Sequence, residues 1–334
     1  MPTSHDLGVG PRVGIIAGGL PYERSDTLQA AATIIRHLSG LGFLPSVLDL
    51  VDPGCLNGLD SRTVDRCFIV DPFYTQQLDG ITHILDARTR LEIVGVPYTG
   101  TGRSAAAICR DKTLSKRFFA QVGVRSPRDL GVPPCASLSW SLEAIAFLGS
   151  PVVLKPRTEG QGVGVSLCHD GSDLAHAVEA IRGRFPDLMV EEYIPGMELT
   201  VPVVGRGDGA FALPPVELEL MDSPIYDYAT KLTPERVLRF VPARLPEDEL
   251  ARLRDSAVAV HRHLGCGGAT RIDFRVPRLS ACEHYCLEIN SSPTLTQDDH
   301  VARAAIAAGI DYSHLILLIL GDAHVHPMSE EERG

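Results

Sequence analysis

The sequence predicts a mixed α/β and α+β protein, with an N-terminal open parallel α/β domain, a small central lobe and a larger C-terminal unit of strands and helices. Three observations carry this. Short apolar runs alternate with helical spacing over roughly the first hundred residues. Strands then flank a glycine-rich turn near residue 160, and two strands carrying alternating polar and apolar residues follow each other near residues 270 and 290. A chain of 334 residues is too long for one ordinary core and suits two or three compact units.

Arg12 to Gly19 reads as a buried parallel strand entering a loop. A helix should follow, capped by Asp26, with Leu28, Ala31, Ala32, Ile35 and Leu38 at helical spacing; Gly40 and Gly42 stop it before a strand from Phe43 to Leu50. Cys67 to Val70 is a third strand, with a long helical pattern from there to about Gly95. Residues 11–101 therefore form a Rossmann-like domain. One helix from Ser104 to about Val122 opens the central lobe, residues 102–189. Strands over 152–157 and 163–168, a helix over 173–185 and a strand from Leu188 to Tyr193 complete it. The third unit, residues 190–322, has strands from Leu199 to Val204 and Pro215 to Leu220, then an irregular stretch from Met221 to Arg239. A helix from Pro246 to Gly265, strands over 269–276 and 284–290, and helices near 299–308 and 312–320 close it. Residues 323–334 read as a frayed, flexible tail.

Composition narrows the function classes. Hydrophobic content of 44%, charged content of 22% and a mean hydropathy of +0.06 describe a packed globular protein. A net charge of −11 without runs of Lys or Arg argues against a nucleic-acid partner. No apolar run approaches the roughly 20 residues that cross a bilayer, and Met1 to Pro11 lacks the pattern of a secretory leader, so a soluble, cytoplasmic protein with no membrane partner is expected. The eight cysteines include no CxxC pair and fit reduced thiols. Cys282 and Cys286, near Cys266 and His284, read as a strand entrance rather than a zinc site.

Three constellations carry chemistry. In Lys155-Pro156-Arg157-Thr158-Glu159-Gly160-Gln161-Gly162-Val163-Gly164, a lysine leaves a strand beside a loop with three glycines. Such a loop can set a cation and backbone N–H groups around phosphates; on its own it is equally an ordinary hairpin. Arg271-Ile272-Asp273 and Glu288-Ile289-Asn290 alternate so that each polar pair shares a strand face, while Ile272, Phe274, Leu287 and Ile289 supply the apolar opposite face. Two carboxylates and an amide suit Mg²⁺ held against phosphates, and the arginine suits developing oxyanion charge; the bland alternative is an exposed polar face. Glu191, Glu192 and Glu198 around Tyr193-Ile194 can accept from an adenine amino group and ribose hydroxyls, with Ile194 against the base, or can form a solvated acidic turn. Lys112 can reach the same nucleotide or stand on the surface.

In this order these residues resemble the D-alanine:D-alanine ligase family, from Arg12 to about Leu320. The most specific pieces are Gly95-Val96-Pro97-Tyr98-Thr99-Gly100-Thr101-Gly102, Asp111-Lys112, Lys155-Pro156 with Glu159-Gly160 and Val163-Gly164, Arg271-Ile272-Asp273, and Leu287-Glu288-Ile289-Asn290 with Ser292-Pro293. The resemblance implies the ATP-grasp fold: a pre-ATP-grasp domain, a central ATP-grasp subdomain and a C-terminal ATP-grasp domain, the last two clamping ATP. It implies Lys112 and Lys155 on ATP phosphates, with Glu159, Gly160, Gly162 and Gly164 around them. Glu191, Glu192, Ile194 and Glu198 would hold adenine and ribose. Asp273, Glu288 and Asn290 would hold two Mg²⁺ ions, or Mn²⁺ in their place. Arg271 would stabilise the acyl phosphate and the tetrahedral intermediate, beside Lys231 of Tyr226-Asp227-Tyr228-x-x-Lys231, and Glu23 would hold the first amino acid's ammonium. A homodimer is implied too. A substrate carboxylate would attack the γ-phosphate, giving an acyl phosphate and ADP, and an amine would then attack the acyl carbon.

Departures from the family gather at the substrate end. The serine after Glu-Gly is Gln161, and the tyrosine after the loop lysine is Leu232. The family's His-Gly and Gly-Glu-Asp-Gly segment is replaced by Val70-Asp71-Pro72-Phe73-Tyr74 and Leu78-Asp79-Gly80. After Ser292-Pro293 come Thr294-Leu295-Thr296-Gln297-Asp298-Asp299-His300, with Asp299 at the serine position and His300 at the leucine position that contact the second D-alanine. Asp298 or Asp299 can cap the final helix pair, or a carboxylate can face the acceptor. These residues favour a ligase with altered substrates, in specialised metabolite biosynthesis, over a genuine cell-wall ligase; intramolecular ring closure has the same residues. A non-catalytic ATP-binding protein is the competing class, against which every ATP and metal residue is present.

Overall fold

The structure, a computed structural model, describes residues 10–20, 23–78, 81–231, 233–277 and 283–326. The chain opens with β1 (Arg12–Ala17), α1 (Arg24–Gly40), β2 (Leu44–Asp49) and β3 (Arg66–Ile69), and the three strands pair in parallel in the order β2-β1-β3. The central strand is the apolar one: Val13, Ile15, Ile16 and Ala17 are fully buried. Each Val or Ile so buried stabilises the fold by about 1.5–3 kcal/mol. Glu23, not Asp26, is the N-cap of α1, without a side-chain cap bond; Asp26 lies in the first turn, where a carboxylate suits the helix dipole.

The long helix expected up to Gly95 is instead a hairpin and a short helix. Strand β4 (Phe73–Leu78) pairs antiparallel with β5 (Ile81–Asp86), and α2 (Ala87–Val94) starts on Asp86, whose side chain accepts from Arg88 N. Aromatic and β-branched residues either side of the Asp79-Gly80 dipeptide outweigh the helical spacing. The helix expected from Ser104 to Val122 is likewise two, α3 (Arg103–Arg110) and α4 (Lys112–Gln121). Asp111 between them is extended and caps α4 by accepting from Leu114 N.

The central lobe contains β6 (Asp129–Gly131), α5 (Leu138–Leu148), β7 (Val152–Pro156), β8 (Ser166–Cys168), α6 (Gly171–Arg182) and β9 (Leu188–Glu192). Its antiparallel sheet runs β6-β9-β7-β8, with Ala144, Leu148, Leu174 and Val178 packed on Val152, Leu154 and Val190. β6 and α5 have no counterpart among the expected elements.

The third unit contains β10 (Met197–Val204), β11 (Phe211–Ala212), β12 (Val216–Leu220), α7 (Tyr228–Lys231), β13 (Val237–Phe240), α8 (Glu247–His263), β14 (Ala269–Val276), β15 (Tyr285–Asn290), α9 (His300–Ala307) and α10 (Tyr312–Gly321). The sheet runs β13-β12-β10-β14-β15, with β11 on β10. The stretch expected to be irregular thus holds α7 and the start of β13. Val13, Ile15 and Ile34 share one core with Val301, Ile316 and Leu320, which fixes the first domain against the last. The supposed tail begins docked: Tyr98 and His324 exchange backbone hydrogen bonds at 3.1 and 3.3 Å, and the His326 ring stacks on Tyr98. Residues 327–334 lie outside the described residues. Among the described residues no single helix is long and apolar enough to cross a membrane.

Candidate active site

β14 and β15 pair antiparallel with Arg271 opposite Asn290, Ile272 opposite Ile289 and Asp273 opposite Glu288. The two-residue period therefore sets Arg271, Asp273, Glu288 and Asn290 on one face and buries Ile272 and Ile289 behind it, as the pattern predicts. Leu287 departs from it. A bulge between Asp273 and Phe274 pairs Phe274 with Cys286, so Cys286 enters the core in place of Leu287 and Leu287 lines a cavity beside Asp273. On the polar face Arg271 donates to both oxygens of Asp273 (3.0 and 3.2 Å), Thr200 Oγ1 donates to Asp273 Oδ1 at 2.6 Å, and Asn290 Oδ1 accepts from Ser292 N.

Lysines converge on this face and beside it. Lys112, first residue of α4, pairs with Glu288 at 3.2 Å and donates to the carbonyl of Glu159. Lys155 on β7 and Lys116 on α4 both donate to the buried carboxylate of Glu191. Burial alone would lower the Lys155 ammonium, but Glu191 and Glu288 hold it above its ordinary value. Burial likewise opposes the Glu288 carboxylate, yet Lys112, Lys155 and Lys231 bring it down to about 2. Both Glu191 oxygens are thus engaged by lysines, and the residue also lines the smaller of two cavities at this face. Its second cation, Lys116, stands one turn beyond Lys112 on the same helix face, a spacing that could have revealed it. The Glu192 carboxylate accepts from Arg128 N and Nε. Glu198 pairs with Arg275 at 2.9 Å, and burial, only partly offset by that arginine, raises its carboxyl.

The glycine loop needs its glycines. Gly162 and Gly164 have φ of +71° and +73°. A side chain at Gly162 would meet the backbone of Asp227 and Tyr228 at 2.9 Å, where Tyr228 N donates to Gly162 O. The loop before α7 is therefore already seated on the glycine loop.

Two cavities meet here. The smaller, about 100 Å³, is lined by Lys155, Gly162, Ile194, Glu198, Asp273 and Leu287 among others. The larger, about 470 Å³, reaches from Glu23 and Asp71 to Arg271, Asn290, Asp299 and His300. Lys112, Glu159, Tyr226, Lys231 and Glu288 line both. Burial, then the repulsion of Arg271, lowers the Lys231 ammonium. At the far end Gln161 Nε2 donates to Glu23 Oε1 at 3.3 Å, so glutamine makes the loop-to-domain contact that the missing serine left open. Asp299 caps α9 with Oδ1, accepting from His300 N at 2.6 Å, and keeps a buried Oδ2 without a partner. His300 is buried with Nδ1 unpartnered, and burial with Arg271 and Arg239 nearby lowers its imidazole. Asp298 stands at the rim of the larger cavity, its side chain 92% exposed and paired with Arg303. Leu232 lies outside the described residues.

The oxygen donors fit a hard divalent cation. Asp273, Glu288 and Asn290 share one face, and Lys112, Lys155 and Lys231 favour the charged form of Glu288. Two carboxylates and one amide leave most coordination positions for phosphate oxygens and water. No group of three or more His, Cys, Asp or Glu placed to hold a metal ion is present among the described residues.

The family model described as D-ala D-ala ligase C-terminus matches residues 136–321. A D-alanine--D-alanine ligase of Methylibium petroleiphilum is 33% identical over 315 residues, covering 93% of this chain and 95% of its own. One of Anaeromyxobacter sp. is also 33% identical over 315 residues, covering 94% and 97%. Among solved structures, the Bacillus anthracis D-alanine--D-alanine ligase complexed with ATP superposes with a TM-score of 0.74 at 22% identity, covering 94% and 96%. The VanG D-Ala:D-Ser ligase of Enterococcus faecalis does so at 0.74 and 22%, covering 93% and 99%. These two likenesses speak to the fold.

Proposed function

The chain belongs to the D-alanine–D-alanine ligase family of the ATP-grasp superfamily and is an ATP-dependent ligase that forms carbon–nitrogen bonds, and from that premise we propose that it joins two amino acids through an acyl phosphate, with D-alanine in both roles. The observation that carries this is the junction of the cavities, where Lys112, Lys231 and Glu288 serve both. A nucleotide in the smaller cavity directs its γ-phosphate to that junction, and a donor whose ammonium rests at Glu23 directs its carboxylate to the same place. Lys112 and Lys155 offset the repulsion between carboxylate and triphosphate, and Arg271 faces the oxygen charge that develops when the amine attacks the acyl carbon and phosphate departs. Glu198 and Ile194 serve ribose and base. Asp273, Glu288 and Asn290 would hold Mg²⁺, which supplies Lewis-acid stabilisation of the phosphate oxygens when bound.

The residues alone favour altered substrates; the curated relatives lend more support to D-alanine. A second reading keeps one observation in view. Asp299 lines the acceptor end of the larger cavity with its buried Oδ2 unpartnered, and an acceptor α-carboxylate about 4 Å from its carboxylate would be repelled by about 4 kcal/mol, near a thousandfold in affinity. On this reading an acceptor with a basic or uncharged polar end replaces D-alanine. Incubation with ATP, Mg²⁺ and D-alanine, alone and with amine acceptors, tests both. The proposal expects ADP, phosphate and D-alanyl-D-alanine. ADP release only with another acceptor favours the second reading, and AMP with pyrophosphate refutes the acyl phosphate.

A further inference from the structure

We infer that Asp71 is a second carboxylate for the donor's α-ammonium, gripping it together with Glu23; this rests on the reading that an amino-acid donor fills the N-terminal end of the larger cavity. β1 and β3 are neighbours in a parallel sheet, and their C-terminal ends open on the crevice where such sheets hold ligands. The exit of β1 leads to Glu23 and that of β3 to Asp71; the backbone N–H groups of Val70 and Asp71 both donate to Ile16 O. Asp71 is 4% exposed, yet lines the cavity. Its Oδ1 accepts from Phe73 N at 3.1 Å and its Oδ2 has no partner. The nearby cations are engaged elsewhere: Arg88 with Asp86 and the Thr101 carbonyl, Arg110 with the Thr158 carbonyl. An ammonium brings three donors, enough to serve Glu23 and the empty Asp71 oxygen together.

The charges agree with this geometry. Burial first, then Glu23 and more weakly Asp86, push the Asp71 carboxyl up to about 7, against the opposing pull of Arg88. Burial also raises Glu23, whose other neighbours are Gln161, Arg110, Asp26 and Glu159. A cation between the two acids reverses that repulsion, so donor binding draws the proton off Asp71.

Asp71→Asn keeps the shape and removes the charge. It should raise the D-alanine donor KM about tenfold, leave kcat within about threefold and flatten the pH dependence of donor kcat/KM near 7. It should also cut the preference for D-alanine over propionate, which lacks the ammonium, by a similar factor. A purely structural Asp71 would move none of these. Independently of turnover, the Asp71 carboxyl resonance in protein carrying ¹³C-labelled aspartate, identified by its loss in Asp71→Asn, should shift to the ionised position when D-alanine saturates the full chain at pH 7, and should stay put with D-lactate. A resonance that D-alanine leaves unmoved overturns the inference whether or not ADP is released. One that moves while no ADP is released with any acceptor upholds it and overturns the function proposed above.

Discussion

Gln161 Nε2 lies 3.3 Å from Glu23 Oε1, tying the glycine loop of the central lobe to the entrance of α1 across 138 residues of sequence. Gln161 has a left-handed backbone, φ +59°, which a bulky β-branched residue would resist. Gln161→Ala removes the contact without touching a core. Donor KM should rise about three- to tenfold, consistent with the roughly 0.7–1.4 kcal/mol of one long, exposed hydrogen bond, while the melting temperature stays within about 2 °C. An unchanged donor KM in steady-state kinetics would mean that the contact plays no part in holding the donor.

Lys155→Ala takes one of two cations from Glu191 and leaves Lys116 in place, so the chain should fold while turnover drops below about a tenth. ATP at about 100 times its Kd should stabilise the wild type by about 2.7 kcal/mol and the variant far less. Thermal unfolding with and without ATP reads this directly; equal ATP-induced shifts would remove Lys155 from the nucleotide site.

Leu287 supplies apolar wall to the smaller cavity only because of the bulge after Asp273. Leu287→Ala should therefore raise the ATP KM about tenfold and barely alter stability. In a strand without the bulge Leu287 would be a core residue, and the same change would cost about 2–5 kcal/mol of stability. Paired ATP kinetics and urea unfolding distinguish the two.

Asp299 gives a pH dependence of known sign. Burial raises its carboxyl to about 6, Arg271 and Arg239 oppose that, and Asp273 adds to it. The group is ionised above about 6 and neutral below. As an acceptor, D-alanine with its own carboxylate should bind better at pH 5.5 than at 7.5, and Asp299→Ser should remove that step while improving D-alanine use at pH 7.5. Measuring acceptor KM for both proteins at both pH values cancels titrations of the substrate. No difference between them would mean that Asp299 serves only as the cap of α9.

Legibility in the sequence followed the range of the interactions involved. The pairing of Arg271 with Asn290 and of Asp273 with Glu288 is a period-two property of two nearby strands, and it was readable. The bulge that admits Leu287 depends on one extra residue in the ladder and leaves no trace in alternation. The β4–β5 hairpin is hidden because its residues also satisfy helical spacing, and Asp111 reads as helix interior because helical residues flank it on both sides, even though its cap bond from Leu114 N is local. The helical spacing of Lys116 from Lys112 is in the sequence, but its pairing with Glu191 on β9 and the free oxygen of Asp71 are products of tertiary packing.

The central claim is transfer of the γ-phosphate to a donor carboxylate, and an oxygen label tests it most directly. With D-alanine carrying ¹⁸O in its carboxylate, the attacking oxygen becomes the bridge of the acyl phosphate and leaves with phosphate when the amine attacks the carbon. Mass spectrometry should then find one ¹⁸O in each released phosphate, in step with amide formation and ADP. Unlabelled phosphate accompanying amide product, or label carried off on AMP, would contradict the account.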